Sequence, residues 1–148
     1  MLFNDPKTFR EDMLKGYVAA YPDYVVEVPG GVARATKMPE GKITVINGGG
    51  SGHYPAFCGI IGDGFMDATV VGNVFTSPST EDVLGVAHSV DNGNGIFIVG
   101  GNYAGDKMNF NMARDRLIEE GVDCRTFYIT DDVAAAKPEE KEKRRGNV

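Results

Sequence analysis

The stretch Ile43-Thr44-Val45-Ile46-Asn47-Gly48-Gly49-Gly50-Ser51-Gly52-His53 runs a β-prone apolar segment straight into four glycines, a serine and a histidine. A strand that ends this way lets the backbone approach a small polar ligand closely, and it delivers one imidazole to the same place. That is the layout of a reactive site on the end of a strand.

Working outward, three further short apolar runs match the first, at residues 68–71, 95–99 and 124–129. Between the four lie segments long enough for helices, at 55–61, 79–90 and 107–120. Alternating strand and helix predicts an α/β fold, with a largely parallel sheet and helices on both faces, in a single domain over residues 1–148. Upstream, Asp5-Pro6 reads as an N-cap with proline at the first helical position. Phe9, Met13, Leu14, Tyr17, Val18 and Tyr21 then recur at helical spacing, predicting a helix over 6–21. Residues 25–28 read as a short edge strand within a stretch that is turn-rich as far as Gly41. Ser77-Pro78 reads as the cap of the next helix, and Asp82 adds a first-turn carboxylate.

Composition narrows the function classes. A chain of 148 residues with 42% apolar residues is long enough to bury a core. Its net charge of -6 argues against nucleic acid, which needs clustered Lys and Arg. Cys58 and Cys124 lie in apolar segments without metal-ligand spacing, so they read as buried free thiols suited to a reducing cytoplasm, with no metal site. No apolar run reaches the roughly 18 residues of a membrane span, and there is no signal-peptide pattern.

The polar, glycine-rich segments 47–53, 72–77 and 100–106 each follow a predicted strand, at the sheet edge where parallel folds bind ligands. The first is neither a phosphate loop, lacking the Lys-Ser or Lys-Thr after its last glycine, nor a sound dinucleotide fingerprint. His53 is the candidate general base; its bland alternative is a histidine that caps the next helix or bonds to a loop carbonyl. Asp106 reads equally well as a helix cap and as a carboxylate facing His53 and a substrate hydroxyl. Asn73, Thr76 and Ser77 offer hydrogen bonds to a polyol or carbonyl.

Taken together, Gly48-Gly49-Gly50-Ser51-Gly52-His53-Tyr54-Pro55, Phe75-Thr76-Ser77-Pro78-Ser79, Asn102-Tyr103-Ala104-Gly105-Asp106 with Asn109-Phe110, and the later Thr130-Asp131-Asp132-Val133-Ala134 and Arg144-Arg145-Gly146 resemble the dihydroxyacetone kinase family, in its substrate-binding (Dak1) domain. The resemblance runs through essentially the whole chain in order. It implies phosphorylation of a short ketose such as dihydroxyacetone, with His53 as acid/base and Asp106 binding and activating the hydroxyl. Gly50, Ser51, Gly52, His53, Thr76, Ser77, Gly101 and Asp106 are then the substrate-binding positions. It also implies that this chain binds no cofactor itself. The phosphoryl donor, ATP-Mg or a phosphorelay partner carrying ADP, would be held by another domain or subunit, and the assembly would be a homodimer.

Three departures from the family pattern stand out. Gly101 occupies the place of a lysine, and Tyr54 replaces a glutamate, a change associated with relatives that act on erythrulose. The histidine that would hold the ketose as a hemiaminal lies in the second half of the family domain, so the chain reads as truncated at its C-terminus. The competing reading is a non-catalytic ketose-binding or regulatory module.

Overall fold

The computed structural model describes residues 5–146. Its six strands, β1 (Val25–Val28), β2 (Gly31–Arg34), β3 (Thr44–Gly50), β4 (Ala68–Gly72), β5 (Ile96–Gly101) and β6 (Cys124–Ile129), form one sheet in the order β1-β2-β4-β3-β5-β6. The run from β4 through β3 and β5 to β6 is parallel. On the other side of β4, β1 and β2 are antiparallel. The fold is thus α/β with a mostly parallel sheet, as the alternating pattern predicts.

Strand β2 was hidden by its own turn. Pro29-Gly30 joins it to β1, with Gly30 at φ 90°, a backbone region open to glycine and disfavoured for other residues. The turn signal extends over Gly31, yet all four residues of β2 are buried between β1 and β4.

The helices α1 (Phe9–Ala20), α2 (Thr80–Val90) and α3 (Ala104–Glu119) cover the two faces. Val83, Val86 and Ala87 of α2 and Phe110, Ala113 and Leu117 of α3 pack on Ile46, Ala68, Val70, Ile96 and Ile98. On the opposite face Leu14 of α1 meets Val32, Cys58 and Val71. The expected helix over 55–61 is absent. That segment makes turns and a single 3-10 turn at Cys58–Ile60. With Gly59 in its middle, seven residues do not meet the cost of nucleating an α-helix. The first helix begins with a 3-10 turn, Pro6–Thr8, capped by the Asp5 carboxylate. Both cysteines are buried and unpaired, and burial pushes each thiol up to about 11.

The amino ends of β3 and β4 are fastened by charge. Asp67, fully buried just before β4, accepts from Arg34 Nη1 at 3.0 Å, from the Val45 N–H at 2.8 Å and from Lys42 Nζ. A buried carboxylate persists only with such compensation.

The decisive difference from expectation lies in the glycines. Strand β3 runs on through Gly48, Gly49 and Gly50, so these residues are strand and not loop. A Cβ on Gly48 would stand 2.4 Å from the Val70 carbonyl oxygen of β4, and one on Gly49 would stand 2.6 Å from the Phe57 ring. Gly48→Ala therefore pushes against backbone, whereas Gly49→Ala pushes against the end of a side chain. Overpacking of this kind costs about 1–3 kcal/mol. We expect Gly48→Ala to lower the urea midpoint more than Gly49→Ala; the reverse order would show that Gly48 does not set the strand spacing.

Candidate functional site

At the carboxyl ends of β3 and β4 and the start of α3 the chain encloses a cleft of about 230 Å³. Gly50, Gly52 and His53 come from the end of β3, Phe75, Thr76 and Ser77 from the β4–α2 loop, and Tyr103 and Asp106 from the α3 entrance. A larger groove, about 430 Å³, lies over Ile43, Val45 and Phe97 and contains no histidine. Only the smaller one brings an imidazole and a buried carboxylate together.

His53 closes the 3-10 turn Ser51–His53 that follows β3 directly. Its ring is exposed at the cleft mouth, 5.6 Å from the Phe57 ring and 6.3 Å from that of Tyr103. Phe57 is itself the group that lies against Gly49. The glycine strand thus seats the aromatic ring that braces the histidine.

Asp106 sits in the first turn of α3 and is only 6% exposed. The helix is entered at Tyr103 without a side-chain cap, so Asp106 is not the N-cap. Burial pushes its pKa above the usual carboxylate value, opposed by a hydrogen bond from Ser77 and by the nearby charge of His53. Its Oδ1 has no partner among the described residues. Ser77 is available for this bond because it does not cap α2. Ser79 does, accepting from the Asp82 N–H while the Asp82 carboxylate accepts from the Ser79 N–H. The Asn109 side chain donates to the Pro78 carbonyl at 2.6 Å, tying α3 to the loop that carries Ser77.

Three of the sequence-derived positions, Ser51, Asn73 and Gly101, do not reach the cleft wall. Ser51 is buried beneath it, its N–H donating to the Asn73 carbonyl. Gly101 continues β5, and a Cβ there would stand 2.4 Å from the Gly146 carbonyl oxygen and 2.9 Å from the Tyr103 ring. The C-terminal segment occupies that space: Asn102 Nδ2 donates to the Arg144 carbonyl, and Arg145 Nη1 to the Asn102 carbonyl. Asn73 spends its side chain on the Val74 N–H.

Two residues were missed as members of the site. Tyr103 stands between the His53 ring and the Arg145 guanidinium, which lies 5.2 Å over its face. Phe75 forms the rim. Both lay inside the quoted motifs, but neither carries an acid, a base or a nucleophile, so chemistry alone did not select them.

Among the described residues, the wall of this small cleft contains no lysine or arginine to meet phosphates.

The Dak1 domain model matches residues 15–148. The chain belongs to the Dak1 domain family. It is 55% identical over 145 residues to a D-erythrulose kinase of Mycolicibacterium smegmatis, covering 98% of this chain and 25% of that protein. It is 42% identical over 148 residues to the dihydroxyacetone-binding subunit of a PTS-dependent dihydroxyacetone kinase of Listeria innocua, covering 98% and 44%. The crystal structure of the dihydroxyacetone kinase from C. freundii in complex with AMP-PNP and Mg2+ superposes with a TM-score of 0.86 at 32% identity, over 99% of this chain and 28% of that one. The chain thus spans between a quarter and a half of the length of these relatives.

The raised pKa of Asp106 gives a signed prediction. A carboxyl with a folded pKa above its unfolded value stabilises the fold at low pH and loses that contribution as pH rises through the folded value. Asp106→Asn has no such titration. The variant should therefore gain stability relative to the parent chain as pH is raised from the ordinary aspartate range, near ~4, to neutrality. Thermal unfolding across that window reads the difference, and a gap that shrinks with rising pH contradicts the assignment.

Proposed function

We propose that this Dak1 domain is the ketose-binding part of a kinase for dihydroxyacetone, erythrulose or a similar short ketose, and that its cleft holds the substrate for phosphoryl transfer to a terminal hydroxyl. The observation that carries the reading is the buried Asp106 Oδ1, an acceptor without a partner, facing a small cleft with an imidazole at its mouth. A three- or four-carbon polyol suits that volume, and similarity to the erythrulose kinase and to the dihydroxyacetone-binding subunit supports the substrate class.

In this reading Gly50, Gly52, Thr76 and Ser77 shape the pocket around the substrate, and Asp106 accepts the hydrogen bond of the hydroxyl to be phosphorylated. As the hydroxyl oxygen forms its bond to phosphorus, the bond from phosphorus to the donor's leaving oxygen breaks, and His53 takes the hydroxyl proton. The exposed imidazole then returns that proton to water. A phosphoanhydride held by another domain or subunit, as ATP-Mg or as bound ADP recharged by a phosphorelay, supplies the phosphoryl group. The assembled protein is a cytoplasmic homodimer.

In the complete kinase, His53→Ala and Asp106→Ala should each lower kcat by about 10²–10⁴-fold with the fold intact. The 148-residue chain alone binds a ketose reversibly and forms no covalent adduct, because its other histidine, His88, lies on α2 and is bonded to Glu120 at 2.7 Å. Intact mass after incubation with dihydroxyacetone tests the second statement, and an adduct would overturn it. Ketose binding without turnover by the complete protein would favour a binding or regulatory module.

A further inference from the structure

Phe75 lines the cleft and is nevertheless 96% exposed, the most exposed of the large apolar side chains among the described residues. Its backbone φ is 56°, in the left-handed region, and among the described residues no other non-glycine shares that region. A bulky residue held there is under steric strain, and strain persists only where the surroundings impose it.

The surroundings do impose it. The Asn73 carbonyl accepts from both the Ser51 and the Thr76 N–H, and the Asn73 side chain accepts from the Val74 N–H. The Thr76 carbonyl oxygen lies 2.3 Å from where a Cβ on Gly72 would stand. With both flanks of the turn fixed to β3 and β4, residue 75 must point outward. The Phe75 ring passes 3.7 Å from the Cβ position of Gly52, beside His53, and Tyr54 adds a second half-exposed ring on the same stretch of β3 exit. The fold therefore presents an aromatic ring to solvent next to the reacting groups.

On this reading the cleft holds the group to be phosphorylated, and among the described residues its wall offers no lysine or arginine to hold the donor's phosphates. The donor phosphorus must nonetheless come within bonding approach of the substrate oxygen, about 3–3.5 Å before reaction. Whatever body carries the donor must then cover this mouth and meet Phe75. We propose that Phe75 is the docking anchor for the donor-bearing domain, its ring entering an apolar pocket beside that domain's phosphoanhydride site. Exposed aromatic residues with fixed geometry are the side chains that most often dominate such contacts. This inference rests on the ketose-kinase reading above.

The test uses the complete kinase, with the donor-bearing domain present. Phe75→Ala should lower turnover roughly tenfold or more, the scale of a lost anchor. Phe75→Gly, which relieves the left-handed backbone, should lose as much, showing that the ring matters and not the strain. The loss of turnover in both variants should persist at saturating dihydroxyacetone, and a photoreactive benzoylphenylalanine at position 75 should crosslink to the donor-bearing domain. Unchanged turnover in both variants overturns the proposal. So does a loss of dihydroxyacetone affinity that matches the loss of turnover, which would make the ring a substrate contact, or a crosslink confined to a second copy of this chain or to the rest of the ketose-binding domain. A parent protein that binds neither dihydroxyacetone nor erythrulose sinks the ketose-kinase reading instead, and this proposal with it.

Discussion

The carboxyl end of this sheet depends on how closely other segments approach β3. Val70 of β4, the ring of Phe57 and the loop at 73–76 each occupy space that a side chain on Gly48, Gly49 or Gly50 would fill. These glycines lie within a strand with ordinary extended backbone, so they are needed for the room they leave more than for their torsional freedom. Adding a methyl group there separates elements that must touch. The strand spacing, the bracing of His53 by Phe57 and the seat of the Phe75 turn therefore share one steric cause.

Much of this was legible in the sequence because period and punctuation agree over most of the chain. The parallel strands announce themselves as apolar runs followed by glycine-rich polar segments, and the strand-end rule places the cleft. What failed has a local cause in each case. Gly31 extends a genuine turn signal into β2, and burial between two strands overrides it. Gly59 interrupts a segment whose length alone suggested a helix. The glycines of β3 were read as loop because composition does not distinguish a glycine needed for torsion from one needed for clearance.

The same ambiguity runs through the candidate site. His53, Asp106, Thr76 and Ser77 share the cleft because each stands within a few residues of a strand's end, which sequence order records. Gly101 stands in a comparable position and is excluded by the return of residues 142–146 over β5, a contact between distant segments that no local pattern encodes. Tyr103 became visible as part of the site only through its neighbours, His53 on one side and Arg145 on the other.

The two ionisable groups occupy unlike surroundings. Asp106 is buried, with one oxygen bonded by Ser77 and the other unpartnered, so its charge is poorly compensated by the chain itself. His53 stands at the mouth in contact with solvent. In the proposed ketose-kinase reading, groups so placed divide the work of deprotonating a hydroxyl: the buried one orients it through a hydrogen bond that water cannot contest, and the exposed one exchanges protons with solvent. Among the described residues no lysine or arginine lines the cleft to meet a phosphoryl group. The Arg145 guanidinium lies over the Tyr103 ring and donates to the Asn102 carbonyl. On the proposed reading, a site with orientation and proton transfer built in, and charge stabilisation left out, works only against a second surface that brings the charge.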